Sequence, residues 1–325
     1  MYKKFLTLLA AGAMGALMPS AAMADYPEKD IRVIVPWGAG GGTDGIVRKL
    51  TLIAEKNIGA SMYVENIEGG ISATGVSQVM NARPDGYTIG ALTYDSVVTV
   101  PWQGLLPSYK MDKLKLIARV TSEPDAIIVG SDTPYETIDD LIAAAKEAPG
   151  TVKIGIQNIG SRLHLAILQL QDETGAEFKI IAYPGGAAPQ KEAILNDEVD
   201  VVATSLGDFA PLLESGDVRG ILEFSETTNP TFNTVPTAKE AGLDLRMGSF
   251  IVFAAPAGTP DEAVEALEHA YKEALESDEF QTWVASVGVT PDWLGTDEVT
   301  QWAEETSKAL FNQMDMLVEE GVIKR

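Results

Sequence analysis

Ile31-Arg32-Val33-Ile34-Val35 is a nearly unbroken apolar run that ends in Pro36-Trp37-Gly38-Ala39-Gly40-Gly41-Gly42-Thr43-Asp44. Such a run suits a strand buried on both faces, which needs helices on both sides of a largely parallel sheet. A helical pattern starting near Gly45 and reaching Asn57 supplies one cover, and the alternation then continues along the chain. Met62–Glu65 and Tyr87–Leu92 read as strands, with a helix near Ser72–Asn81 between them. A second set begins with strand Ala126–Val129 and helix Ile138–Glu147. It runs on through strand Val152–Ile156, helix His164–Thr174, strand Lys179–Ala182, helix Ala188–Asn196 and strand Val199–Ala203. After the apolar run Ile251–Ala255 come three helices, near Asp261–Ser277, Asp278–Val287 and Asp297–Glu320. This order predicts an α/β fold with mostly parallel sheets. The roughly 300 residues beyond Ala24 are long for one core, so two lobes are expected, with a small-molecule cleft between them. No Gly/Ser tether interrupts the chain, so extended crossover strands are expected to join the lobes, with the C-terminal helices returning to the first.

The first 24 residues read as a secretory signal: Lys3 and Lys4, an apolar stretch from Phe5 to Leu17, and Ala22-Met23-Ala24 as the cleavage site. The apolar stretch is short of the roughly 20 residues a membrane span needs. A periplasmic protein cut after Ala24 is therefore expected. The chain has no cysteine, which excludes a lipobox, disulfides, catalytic thiols and thiolate metal sites. Removing the leader leaves 22 basic against 47 acidic residues, a net charge of −25. Nucleic-acid binding and adsorption to anionic membrane both rest on basic residues, so neither is expected.

The glycine loop proposes an anion. Gly38, Gly40, Gly41 and Gly42 let the backbone expose its N–H groups without Cβ interference, and a helix N-terminus behind them attracts negative charge. Trp37, Thr43 and Asp44 flank these donors. A bare Asp44 carboxylate repels an anion, so capping the helix start is its first role. Gly40-x-Gly42-x-x-Gly45 with Glu65 also fits a dinucleotide fingerprint. Export from the cytoplasm, the Pro36-Trp37 spacer and the lack of an acid/base group for hydride chemistry weigh against it. A second loop, Gln157-Asn158-Ile159-Gly160-Ser161-Arg162, repeats the strand, glycine, hydroxyl and helix-start order. There Ser161 is either an N-cap or a ligand donor, and Arg162 either a forked carboxylate donor or half of a surface ion pair. Thr204 and Ser205 end a strand, where α/β sheets bind ligands. Tyr94, Ser96, Asn158, Gly160 and Gly185 complete the ligand-binding candidates. His164 and His269 lack zinc-motif spacing and no Gly-x-Ser-x-Gly elbow occurs, so no catalytic residue, metal or cofactor is expected. Charged hydrogen bonds contribute about 1.5–3 kcal/mol each, so four to six from two loops suffice for micromolar binding, which needs about 8 kcal/mol.

Several segments carry a resemblance. Tyr26 to Trp37 followed by Gly-Gly-x-x-Asp, Ala82-Arg-Pro-Asp-Gly-Tyr-Thr-Ile89, Gly160-Ser-Arg-Leu-His-Leu-Ala166, Val235-Pro-Thr-Ala-Lys-Glu-Ala-Gly242 and Ala255-Pro-Ala-Gly-Thr-Pro260 occur in order over nearly all of the mature chain. Together they resemble the tripartite tricarboxylate transporter substrate-binding proteins, the Bordetella uptake gene (Bug) family. The resemblance implies a two-lobed, Venus-flytrap periplasmic-binding-protein fold that closes on a small carboxylate and presents it to membrane permease subunits. It makes the Trp37–Asp44 and Gly160-Ser161 loops the pincers. The implied division is residues 25–122 with 250–325 in lobe 1 and 123–249 in lobe 2, in a monomer. Asn158 stands where the family has a glycine, and Ala182-Tyr183-Pro184-Gly185-Gly186 departs from a Pro-Tyr-Arg-Gly-like segment, so the ligand's identity is left open. An exported hydrolase-like enzyme, or a ligand-sensing partner of a membrane receptor, is the alternative.

Overall fold

The computed structural model describes residues 26–319, and the leader expected over residues 1–24 lies outside them. The first half of the chain forms β1 (Ile31–Val35), α1 (Gly42–Ile58), β2 (Met62–Asn66), α2 (Ala73–Met80) and β3 (Thr88–Leu92). A π-helical turn, Asp95–Thr99, then runs into α3 (Val100–Trp102). There follow β4 (Leu114–Gly130), α4 (Ile138–Glu147), β5 (Lys153–Ile156), α5 (Arg162–Thr174), β6 (Lys179–Ala182), α6 (Ala187–Leu195) and β7 (Val201–Ser205). The remainder is α7 (Ala210–Ser215), β8 (Val218–Glu223), β9 (Gly248–Pro256), α8 (Asp261–Glu276), α9 (Asp278–Val287), β10 (Pro291–Leu294) and α10 (Thr296–Glu319).

The strands form one curled sheet in the order β2-β1-β3-β9-β4-β7-β5-β6, with β8 and β10 pairing β4. Both flanks are parallel, β1 with β2 and β3, and β5 with β6 and β7. The centre is antiparallel, because β9 and the long β4 run back between the halves. The strand expected at Ala126–Val129 is the last part of this 17-residue strand. Its first part, Leu114–Pro124, pairs with β9, and its last part, Asp125–Gly130, pairs with β7 and β8. The exchange of partners falls at Pro124, whose ring nitrogen has no hydrogen to donate to a ladder.

Apolar side chains close the two halves and the seam. On the first, Val33, Val35, Leu50, Phe253 and Phe280 pack with Tyr271, whose ring stacks on Phe253 at 3.9 Å and whose hydroxyl meets Thr51 Oγ1 at 3.2 Å. This contact brings the C-terminal helices back to α1, as expected. On the second, Ile128, Ile194, Val202 and Phe209 pack together. A third cluster runs under both, from Val76 and Leu92 to Ile127, Ile154 and Leu163.

One buried charge cluster pins the halves. Arg162, at the start of α5, donates from Nε and Nη2 to the two carboxylate oxygens of Asp125, both at 2.7 Å. Its backbone N–H donates to Asp95 Oδ1 at 3.1 Å, and Asp95 also accepts from the Thr99 hydroxyl at 2.6 Å. Burial opposes the guanidinium charge, but Asp125 and Asp95 outweigh it and hold the pKa above its ordinary value. Breaking a buried pair from one side costs about 3–5 kcal/mol, because the partner's charge stays buried. Asp125→Ala should therefore lose stability of that order in urea unfolding, well beyond the loss expected from exposed pairs such as Lys56–Glu279.

Candidate ligand-binding site

Helix α1 begins at Gly42, three residues before the expected start, because Gly41 adopts extended N-cap geometry (φ −80°, ψ 170°). Gly40 turns the chain with φ +82°, a left-handed value that disfavours side chains. Asp44 lies in the first helical turn. Its Oδ2 accepts the Gly40 N–H at 2.9 Å, while Oδ1 accepts from Arg48 Nε at 2.9 Å and Asn66 Nδ2 at 2.8 Å. Burial raises its pKa, but Arg48, the Gly40 N–H and Asn66 together hold it below the usual carboxylate value. Asp44 thus braces the loop with a carboxylate that is already satisfied. Trp37 is pinned behind it, donating from Nε1 to Thr93 Oγ1 at 3.0 Å and accepting from Asn66 Nδ2 at 2.9 Å.

The second half of the molecule closes against this loop. Asp208, just beyond β7, accepts the Gly42 N–H at 2.7 Å through Oδ1 and the Thr204 hydroxyl at 2.7 Å through Oδ2. Gly38 approaches Gly185 so closely that a Cβ at Gly38 would overlap the Gly185 carbonyl. Between the jaws lies a cleft of about 200 Å³. Its polar lining includes Thr43, Thr93, Glu123, Gln157, Lys191, Ser205, Asp208 and Ser249, and its apolar wall Trp37, Ile251, Trp283, Val287 and Val289. The volume lies below the about 300–1,000 Å³ of drug-sized pockets, so the ligand it admits is small.

The profile described as tripartite tricarboxylate transporter family receptor matches residues 46–317. The chain belongs to that receptor family. A Cupriavidus necator relative, "UPF0065 protein in gbd 5'region", is 30% identical over 301 residues, covering 92% of this chain and 91% of its own. BugT of Bordetella pertussis is 29% identical over 293 residues, 86% of this chain and 88% of its own. The solved structure of the periplasmic binding protein BugD superposes with a TM-score of 0.83 at 26% identity, over 92% of this chain and 100% of BugD. The two halves of the sheet are the two lobes of this fold.

Of the residues proposed from the sequence, Trp37, Gly38, Gly40, Gly41, Thr43, Asp44, Arg162 and Ser205 line the cleft. The other candidates are not among its lining residues, each for a local reason. Tyr94 is buried in the core, with the Arg162 guanidinium 5.9 Å from its ring. Ser96 is buried and bonds Ser72 and Thr93. The Asn158 carbonyl accepts the Ser161 hydroxyl at 2.7 Å, so Ser161 takes the N-cap backbone position while its side chain turns away from the helix amides. Gly160 donates its N–H to His164 Nδ1 at 3.0 Å, and its carbonyl accepts from Gln103. Gly185 packs on Gly38, leaving its neighbour Gly186 on the cleft. Thr204 is buried, its hydroxyl spent on Asp208. Arg162 is neither a surface pair nor a free fork, since Asp125 fills it. Glu65, the ribose contact of the dinucleotide fingerprint, is instead paired with Arg32 at 2.7 Å.

Sequence reasoning missed Glu123, Lys191 and Asp208. Glu123 is 7% exposed and its Oε1 has no hydrogen-bond partner. Its carboxyl is pushed up to about 8, by burial first and then by the Asp208 carboxylate, with Glu223 adding and the Thr290 backbone opposing. The folded protein therefore keeps this proton to about pH 8, whereas the unfolded chain releases it near the ordinary 4.5. Between those values stability falls as pH rises, by at most about 1.4 kcal/mol per pH unit. Glu123→Gln should remove this slope. Its thermal midpoint should gain on wild type from about pH 5 to pH 8 and hold level above that, in melts without ligand.

Proposed function

We propose that this receptor captures a small carboxylate in the interlobe cleft, outside the cytoplasm, and hands it unchanged to the permease subunits of a tripartite transporter. Residues 1–24 act as the removed leader, lobe 1 comprises 25–122 with 250–325, and lobe 2 comprises 123–249. Family membership supports the transport role, and among the described residues no helix is long and apolar enough to cross a membrane.

The observation that carries the reading is the Gly42 N–H holding the Asp208 carboxylate at 2.7 Å. The donor group read from the glycine loop thus binds a carboxylate, here one from the opposite lobe. A ligand carboxylate meets the same chemistry, with roughly 1.5–3 kcal/mol from each such bond and a further 0.3–2 kcal/mol or so from the helix terminus. Lys191 lies on the same cleft and adds positive charge. Binding without turnover is supported by the second loop, where the Ser161 hydroxyl donates to a carbonyl and His164 Nδ1 is occupied by the Gly160 N–H. That histidine, its pKa lowered by burial, is not paired with a nucleophile.

Ligand-stripped protein should be stabilised in thermal melts by at least one member of a panel of mono-, di- and tricarboxylates and amino acids. At about 100 times Kd the gain is about 2.7 kcal/mol, or a rise of about 5 °C or more. A flat response to the whole panel would sink the proposal. A Cβ at Gly42 would overlap Asp208 Oδ1 and break the Gly42–Asp208 bond between the lobes, so Gly42→Ala should weaken the stabilising ligand by about tenfold or more in calorimetry, as loss of one charged hydrogen bond from the closed form implies.

A further inference from the structure

Most charges around the cleft are already matched, and one buried carboxyl oxygen is not. Asp44 is matched by Arg48, and Arg162 is matched by Asp125 and Asp95. That leaves the Asp208 carboxylate, Lys191, which has no carboxylate partner among the described residues, and the protonated carboxyl of Glu123. Asp208 already accepts two hydrogen bonds, from Gly42 and Thr204. Glu123 accepts none at Oε1, although it is more than nine-tenths buried. An unmatched buried acceptor costs about 1–3 kcal/mol, so a donor that reaches it gains that much back on binding. Among the described residues no donor lies within hydrogen-bond distance of Oε1. Thr121, on the same face of β4, also has a hydroxyl without a partner.

We propose that the ligand carries an ammonium group as well as its carboxylate, and that Glu123 receives the ammonium while the α1 N-terminus and Lys191 hold the carboxylate. This rests on the carboxylate reading above and narrows it to amino-acid-like zwitterions. A dicarboxylate brings no donor to the Glu123 oxygen and meets the Asp208 carboxylate with like charge. An ammonium supplies that donor and turns the Asp208 contact into attraction, and a charged hydrogen bond is about twice as strong as a neutral one. Glu123 sits among Asp208 and Glu223, with Asp125 two residues on in β4 and Lys191 and Arg162 across the cleft. Before binding it keeps its proton to about pH 8. Taking an ammonium requires the carboxylate form, so binding at neutral pH expels that proton to the buffer.

Isothermal titration with C3–C6 mono- and dicarboxylates, each beside its α-amino counterpart, tests this in wild type and Glu123→Gln. The amino member of the binding pair should be tighter by about tenfold or more in wild type, as one charged hydrogen bond implies. Titration at pH 7 in buffers of differing ionisation enthalpy should show close to one proton released per ligand. Affinity should rise roughly tenfold per unit up to about pH 8 and then level off. In Glu123→Gln the preference should fall to about threefold or less and the proton release should vanish. The proposal is overturned if the plain acid binds as tightly as its amino counterpart, if no proton leaves, or if the variant keeps the preference. The first two outcomes need only wild-type protein. If no carboxylate of either kind binds, the carboxylate reading itself fails.

Discussion

The long strand β4 is shared by both halves of the sheet, and the other features of the cleft follow from that sharing. A strand can pair with only two neighbours at any point, so β4 changes partners at Pro124, from β9 to β7 and β8. Side chains alternate across a strand, which places Thr121, Glu123 and Asp125 on one face at the exchange. There the sheet turns from one lobe to the other, and of this polar row Glu123 meets the cleft while Thr121 and Asp125 stay fully buried. Asp125 is neutralised by Arg162, which ties α5 to the seam. Glu123, one alternation earlier, is left facing the cleft. Two carboxyls on the same strand face thus differ in whether an arginine reaches them.

The backbone does much of the electrostatic work. The protein is strongly acidic, yet charges beyond about 8 Å are screened at physiological salt. What the cleft presents is local: N–H groups at the start of α1, Lys191, and the unmatched Glu123 oxygen. Asp44 is part of that design only indirectly. By accepting the Gly40 N–H and the Arg48 and Asn66 side chains, it fixes the turn that aims the Gly42 N–H across the cleft. Asp208 shows that a carboxylate fits there, and its bond closes one lobe on the other.

Much of the fold was legible because its signals are local. The apolar run before the glycines, the amphipathic period of Ile138–Glu147 and the left-handed glycines ending α1 and α5 each specify structure within a few residues. The antiparallel centre was not legible in the same way. Residues 114–125 mix polar and apolar positions, and only pairing with β9 buries them as strand. The turn geometry of the first glycine loop was legible because glycine spacing reports backbone geometry directly. The second was not: Ser161, Gly160 and Asn158 bond one another and His164, a competition among neighbours that the order of residues does not rank.

The sequence by itself determined the class of structure, the glycine-built donor loop and the family, since each rests on short-range pattern or on motifs in order. Only the tertiary structure decided which charges are spent and which are free. Arg162 finds Asp125 37 positions away, Asp208 finds Gly42 166 positions away, and Glu123 Oε1 finds no hydrogen-bond partner among the described residues. Electrostatic energy in a buried site depends on distance and on exclusion of water, and the packing of two lobes sets both.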